Sequence, residues 1–152
     1  MKLKLLLSLI LALGLVAPAS ITPVSAKPIC DKLGFAGLLS SCNRGETIQV
    51  LLSSGKPLGK DVVLESGTYY KMQITADGSA ELAVSGAEFF RAIWMNEIVI
   101  SKIEVRPMAI DSLEFDAAGE AEVSFIAIKP GNYVLRIPGT TGKTQQIKIR
   151  IK

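Results

Sequence analysis

The sequence predicts an all-β fold: two antiparallel sheets packed face to face as a β-sandwich, behind a short disulfide-restrained N-terminal segment. Three observations predict it. Short runs of alternating apolar and polar residues recur from Thr47 to the C-terminus. Turns rich in Gly and Pro punctuate those runs. The runs number about seven to nine, which is what two packed sheets of ordinary size require.

The chain opens with MKLKLLLSLILALGLVAPASITPVSA, in which Lys2 and Lys4 precede an apolar run from Leu5 to Ala17. Val24 and Ala26 occupy the −3 and −1 positions of a signal peptidase site before Lys27. Residues 1–26 are therefore expected to be a removable export signal, and the protein is expected in the periplasm or outside the cell. The run is shorter than the roughly 20 apolar residues of a membrane span, and no later segment approaches that length, so no integral span is expected after signal removal.

Cys30 and Cys42 follow in KPICDKLGFAGLLSSC. In an oxidising compartment this pair would close a 13-residue loop and restrain the unfolded chain by about 2 to 3 kcal/mol. Eleven residues separate the cysteines, so the C-x-x-C spacing of a redox dithiol is absent. Residues 27–45 form the expected disulfide-restrained segment, with a short Gly-interrupted helix or an ordered loop between the cysteines. Residues 46–152 form the expected sandwich domain.

Loss of Lys2 and Lys4 with the signal lowers the formal charge from +3 to +1. So weak a balance offers little attraction for nucleic acid or anionic lipid, and no basic patch is interleaved with stacking aromatics. Nucleic-acid binding is not expected.

Along the domain, TIQVLLSS carries Ile48, Val50 and Leu52 at period two, and SGKPLGKD ends it. DVVLESG is the next strand, and YYKMQIT alternates Tyr70, Met72 and Ile74 with Lys71, Gln73 and Thr75. Asp77-Gly78 lies between YYKMQIT and AELAV, a strong hairpin signal, so these two strands are expected to pair. AEFFRAIWMNEIVISKIEVRP reads as one long strand, or as two with a kink near Asn96-Glu97, ended by Pro107. SLEFDAAGEAEVSFIAI offers Leu113 and Phe115, a turn at Ala118-Gly119, and a strand with Ala121, Val123, Phe125 and Ala127 on its dry face. KPGNYVLRIPG starts at a Pro-Gly turn and alternates Tyr133, Leu135 and Ile137 against Val134 and Arg136. QQIKIRIK closes the chain with Ile147, Ile149 and Ile151 opposed to Lys148, Arg150 and Lys152. That basic stripe reads either as a charged edge strand or as a surface for an acidic partner.

The run SLEFDAAGEAEVSFIAIKPGNYVLRIPG resembles the C-terminal half of cupredoxin-like domains, and PGNYVLRI is similar to their Pro-Gly-x-Tyr-x-x-x-Cys turn. The resemblance implies a β-sandwich over residues 46–152 and is distinctive only in the last third. Pro130, Gly131 and Tyr133 match the turn, but Ile137 stands where the family's copper-ligating cysteine is expected, and PGTTGKT after it supplies neither histidine nor methionine. A type 1 copper centre needs two imidazoles and a thiolate, and this chain contains no histidine. The resemblance thus implies a ligand-deficient member with no bound cofactor.

Other chemistry is thinly represented. Met72, Met95 and Met108 are soft donors suited to Cu(I), but are far apart in sequence. Ser53, Ser54, Ser66 and Ser112 have no imidazole and no G-x-S-x-G elbow, and Ser53 with Lys56 in SSGK reads as a turn. Glu114, Asp116, Glu120 and Glu122 form the densest acidic group, with Glu120 and Glu122 on one strand face; this reads as a solvated face, with a weak cation site as the alternative. No catalytic residue emerges, and an enzyme is not expected.

The aromatic stretch is different. Adjacent strand residues point to opposite faces, so Tyr69, Tyr70, Phe89, Phe90 and Trp94 are not all expected inside. Tyr69, Phe90 and Trp94, emerging beside Arg91 and Glu97, would make a protein-binding hot spot. The alternative is cover by the N-terminal segment. The expected function is an exported, non-catalytic interaction or scaffold sandwich that docks a periplasmic protein partner. Its alternative is a metal-handling protein holding Cu(I) through methionines or another cation through the acidic group.

Overall fold

The computed structural model describes residues 34–152. The expected signal 1–26, and Cys30 with its proposed pairing to Cys42, lie outside or reach outside the described residues. Cys42 itself is exposed in a short 3-10 turn, and no free cysteine occurs among the described residues.

Two 3-10 turns, Gly34–Leu39 and Ser41–Asn43, lead into the sandwich. Ten strands follow among the described residues: β1 Ile48–Leu52, β2 Val62–Leu64, β3 Tyr69–Ala76, β4 Leu82–Ser85, β5 Ile93–Ile100, β6 Ile103–Val105, β7 Ser112–Phe115, β8 Gly119–Ala127, β9 Gly131–Arg136 and β10 Gln146–Ile151. A single helical turn, α1 Ala87–Phe90, stands between β4 and β5. The first sheet has the order β1-β3-β8-β5-β6 and the second β2-β10-β9-β4-β7.

The apolar alternation places the core as expected. Ile48, Val50 and Leu52 of β1, Met72 and Ile74 of β3, Val123 and Phe125 of β8, and Ile147, Ile149 and Ile151 of β10 are all buried between the sheets. Burying one such side chain contributes about 1.5 to 3 kcal/mol, which makes this period-two pattern the main determinant of which strand face turns inward.

Strand direction departs from the expectation. The sheets are mixed, because β1 runs parallel to β3 and β2 runs parallel to β10. Alternation specifies a face but not a direction, and a parallel pair needs only a long enough crossover. The chain supplies one between β1 and β3 by passing through β2 of the other sheet.

The Asp77-Gly78 turn does not join a pair either: β3 and β4 lie in different sheets. The sharp turn is real, since Gly78 holds φ +76 and a Cβ there would stand 2.9 Å from the Ala118 nitrogen. Its residues reverse the chain, and the loop from Asp77 to Glu81 is long enough to cross the roughly 10 Å between packed sheets. β7 and β8 are likewise split between sheets across the turn at Ala118.

Asp77 anchors this crossover. Its carboxylate accepts the Ser53 hydroxyl at 2.5 Å and the Ser79 N–H at 2.9 Å. Those bonds, the Ser53 hydroxyl foremost, hold its pKa at about 2, below the ordinary 3.8. A carboxyl with a depressed folded-state pKa contributes stability that is fully present above its unfolded value and lost as pH falls through its folded value. Melting temperature is therefore expected to fall between about pH 4 and about pH 2 less steeply in Asp77→Asn than in the parent. Thermal melts of the two proteins across that window check this; identical pH slopes would rule the linkage out.

The basic stripe of β10 is not at an edge. β10 lies between β2 and β9, so Lys148, Arg150 and Lys152 do not protect a free strand. The Lys148 backbone N–H instead donates to Asp61 Oδ1 at 2.8 Å, tying β10 to the chain just before β2.

Candidate interaction surface

β5 is the element that carries the expected aromatic patch. Its register with β8 shifts between Met95 and Glu97, so the kink expected near Asn96 is a β-bulge. On the outer face of this sheet, Tyr69, Ile126 and Trp94 form one cross-strand row, and Lys71, Ser124 and Glu97 form the next.

Only part of the expected patch is exposed. Trp94 is 46% exposed, but Tyr69 is 3% exposed and Phe90 is buried, so the three aromatics do not emerge together. The guanidinium of Arg44 lies 3.6 Å from the Tyr69 ring centroid, and the Tyr69 hydroxyl accepts the Asn96 side-chain N–H at 3.2 Å. Cover by the N-terminal segment is therefore the arrangement adopted at Tyr69. Phe90 lies on α1, not on a strand. Successive residues of a helical turn are about 100° apart rather than opposed, so Phe89 and Phe90 both reach the core, their rings 5.5 Å apart.

The charged members are paired, Arg91 exposed and Glu97 half-buried. Arg91 meets Asp111 at 3.2 Å, and Glu97 meets Arg106 at 3.2 Å. Pairs of this kind near the surface add little to stability.

β6 pairs only with Ile98, Val99 and Ile100. The first half of β5, residues 93–97, therefore has β8 on one side and no strand on the other among the described residues. The β5–β6 hairpin itself is apolar and exposed. Ile100, Ile103 and Val105 share the sheet face of buried Ile98, yet Ile103 is 65% exposed, Ile100 and Val105 are exposed, and Met108 just beyond is fully so. Ile128, two residues beyond Ile126, is exposed as well.

Sequence reasoning missed this hairpin because its turn lacks a turn signature. Ser101 and Lys102 hold φ 48 and φ 70, the left-handed geometry that two-residue hairpin turns need and that Asn-Gly ordinarily supplies. Such strained positions are retained where the surrounding structure over-determines them.

The metal donors are not brought together. Met72 and Met95 are both buried on the inner face, with β8 between their strands, and Met108 lies on an exposed loop. Glu120 and Glu122 share the outer face of the first sheet, and Glu122 is paired with Lys71 at 2.7 Å. Glu114 belongs to β7 of the second sheet. Among the described residues, no group of three His, Cys, Asp or Glu side chains is arranged to hold a metal ion. Ile137, at the position of the family's thiolate, is buried in the core, and the chain has no imidazole, so the residues present do not fit a blue-copper ion.

Among the described residues no helix is long and apolar enough to cross a membrane. No protein-family model matches the chain, and no curated protein matches it. Solved structures do match. A blue copper oxidase from Nitrosomonas europaea superposes with a TM-score of 0.52 at 11% identity, over 72% of this chain and 44% of that one. A multicopper oxidase designated mgLAC gives 0.53 at 11% identity, over 72% and 45% of the two chains. A further multicopper oxidase gives 0.50 at 5% identity, over 70% and 43%. The match thus spans less than half the length of each of these oxidases. The two-sheet architecture and these matches together identify the fold as cupredoxin-like, in a chain that lacks the ligands of a blue-copper centre.

Proposed function

We propose that the protein is an exported, non-catalytic interaction module that docks a partner protein at the free edge of β5 and the adjoining β5–β6 hairpin. The observation that carries this reading is the exposed Trp94 on a half-strand whose outer edge has no neighbour among the described residues, continued along β5 by a hairpin whose isoleucine and valine are uncovered on the other sheet face. An extended segment of a partner can add to such an edge through main-chain hydrogen bonds, with side-chain pockets giving selectivity. Tryptophan is among the side chains most often found to anchor such contacts. The pairs Arg91–Asp111 and Glu97–Arg106 supply a charged rim. A disulfide between Cys30 and Cys42 would restrain the N-terminal segment that covers Tyr69, and the periplasm is the compartment in which that bond and the export signal both make sense. The oxidase chemistry of the structural neighbours is not carried over, since the donor set for copper is missing.

The test places a photo-crosslinking residue at position 94 or 103, and at 148 on the opposite sheet as control, in the exported protein. Discrete partner adducts are expected from 94 and 103 and not from 148. Once that partner is identified, Trp94→Ala is expected to weaken binding by roughly 30-fold, the effect of losing a hot-spot anchor. Equal adducts from both sheets, or an unchanged affinity in Trp94→Ala, would overturn the proposal.

A further inference from the structure

An open corner lies between β1 and β2, at the opposite end of the strand order from the β5–β6 hairpin. A cleft of about 470 Å³ runs there, lined by Ile48 of β1, Val62 and Leu64 of β2, and Tyr70 of β3, together with the carboxylates Glu46, Asp61 and Glu65. Among the described residues no lysine or arginine lines it and none of the three carboxylates takes part in an ion pair, although Asp61 Oδ1 also accepts the Lys148 backbone N–H.

Among the described residues β2 is an edge strand, and its paired side shows the pattern it matches. It pairs in parallel with β10, Val62 opposite Ile149, Val63 opposite Arg150 and Leu64 opposite Ile151. β10 buries Ile147, Ile149 and Ile151 and turns Lys148 and Arg150 outward. On β2 and its flanks, Val62 and Leu64 face inward, while Asp61, Val63 and Glu65 alternate with them, setting an acidic residue at each end of the outward row. The β2–β10 pair is thus a match of apolar to apolar inside and acidic to basic outside.

The other side of β2 offers the same pattern again. Leu64 turns its carbonyl to β10, where it accepts the Lys152 N–H at 2.9 Å, so the neighbouring Val63 turns its N–H and C=O to the free edge. Val63 is 53% exposed. Beneath that edge lies the apolar cleft, lined also by those carboxylates. The Tyr70 hydroxyl closes the cleft floor by accepting the Glu65 N–H at 2.8 Å.

We infer that the free edge of β2 binds an extended peptide segment of alternating apolar and basic residues, with its apolar side chains in the β1–β2 cleft and its cations toward Asp61 and Glu65. Main-chain bonds to Val63 hold the strand, and charge selects it. The site is independent of the Trp94 surface.

The probe is a synthetic fluorescein-labelled peptide QQIKIRIK, the sequence of residues 145–152, titrated into the full mature chain by fluorescence anisotropy. Saturable binding is expected below about 1 mM, the range of a weak strand addition. It is expected to weaken roughly tenfold in Asp61→Asn/Glu65→Gln and at high salt. Val63→Pro removes the edge N–H without touching the β10 ladder, because proline is tolerated on the open side of an edge strand, and is expected to abolish binding. Circular dichroism and melting curves verify that each variant is folded. Trp94→Ala is expected to bind the peptide normally, which separates this site from the proposed partner surface. The inference is overturned by the absence of saturable binding or by equal binding of QQIEIEIE. Insensitivity to Val63→Pro, loss of binding in Trp94→Ala, or loss of hydrogen-exchange protection in β9 and β10, which would mean strand replacement, would each overturn it too.

Discussion

Replacing Phe89 with alanine is expected to lower the unfolding free energy by about 3 to 5 kcal/mol, a large part of the roughly 5 to 15 kcal/mol that holds a domain of this size. Phe89 is fully buried and joins the two sheets. Its ring stands 5.5 Å and edge-on from Phe125 of β8, in the first sheet, and 6.3 Å from Tyr133 of β9, in the second. It also packs on Phe90 of the same helical turn. Truncation therefore removes apolar burial and leaves a cavity between layers that strands on both sides are too constrained to fill. Urea unfolding should show the midpoint falling with the slope unchanged. Phe35→Ala is the internal control, since Phe35 is 92% exposed and its loss should shift stability by no more than about 0.5 kcal/mol. A Phe89→Ala cost as small as that of Phe35→Ala would mean that the helical turn does not bridge the sheets.

The second large effect is expected at Asn43, where exchange for aspartate should destabilise by roughly 2 to 4 kcal/mol and act first on the N-terminal cover of the first sheet. Asn43 is completely buried, and its side-chain amide donates to the Leu38 carbonyl at 3.0 Å and to the Gly67 carbonyl at 2.8 Å. Aspartate has no donor to offer and sets carboxylate oxygens against two carbonyls in a site shielded from solvent. Arg44 follows directly in sequence and lies over Tyr69, so loosening this anchor also uncovers the inner end of the Tyr69–Ile126–Trp94 row. Hydrogen exchange and limited proteolysis should show residues 34–45 losing protection before the sheets do. If those residues stay protected in Asn43→Asp, the cover is held by other restraints and the Asn43 anchor is dispensable.

Much of the fold was legible in the residues themselves. Ile48, Val50 and Leu52, and later Ile147, Ile149 and Ile151, alternate in sequence and are buried in alternation, because a strand has only two faces and one of them must leave water. The bulge at Asn96 fell where the aromatic run loses its regular period. The resemblance carried by Pro130, Gly131 and Tyr133 matched the cupredoxin-like architecture, since that turn serves the backbone whether or not a metal is held beside it. The missing imidazoles were equally plain, as composition alone decides whether a ligand exists.

Partnership and exposure were not legible, and only the tertiary structure decided them. Asp77-Gly78 announces a reversal without naming the strand that follows it, and the fold sends β3 and β4 to different sheets. Phe89 and Phe90 read as neighbours on a strand, but they lie on a helical turn where both are buried. Tyr69 points outward as its parity demands, and is covered where Arg44 and Asn96 arrive from other segments. The basic stripe of β10 looked like a protected edge until β2 arrived beside it in parallel. Local alternation determines which way a side chain faces, because that energy is set within a few residues. Which surface meets it depends on contacts between segments far apart in sequence, and those are fixed only when the whole chain packs.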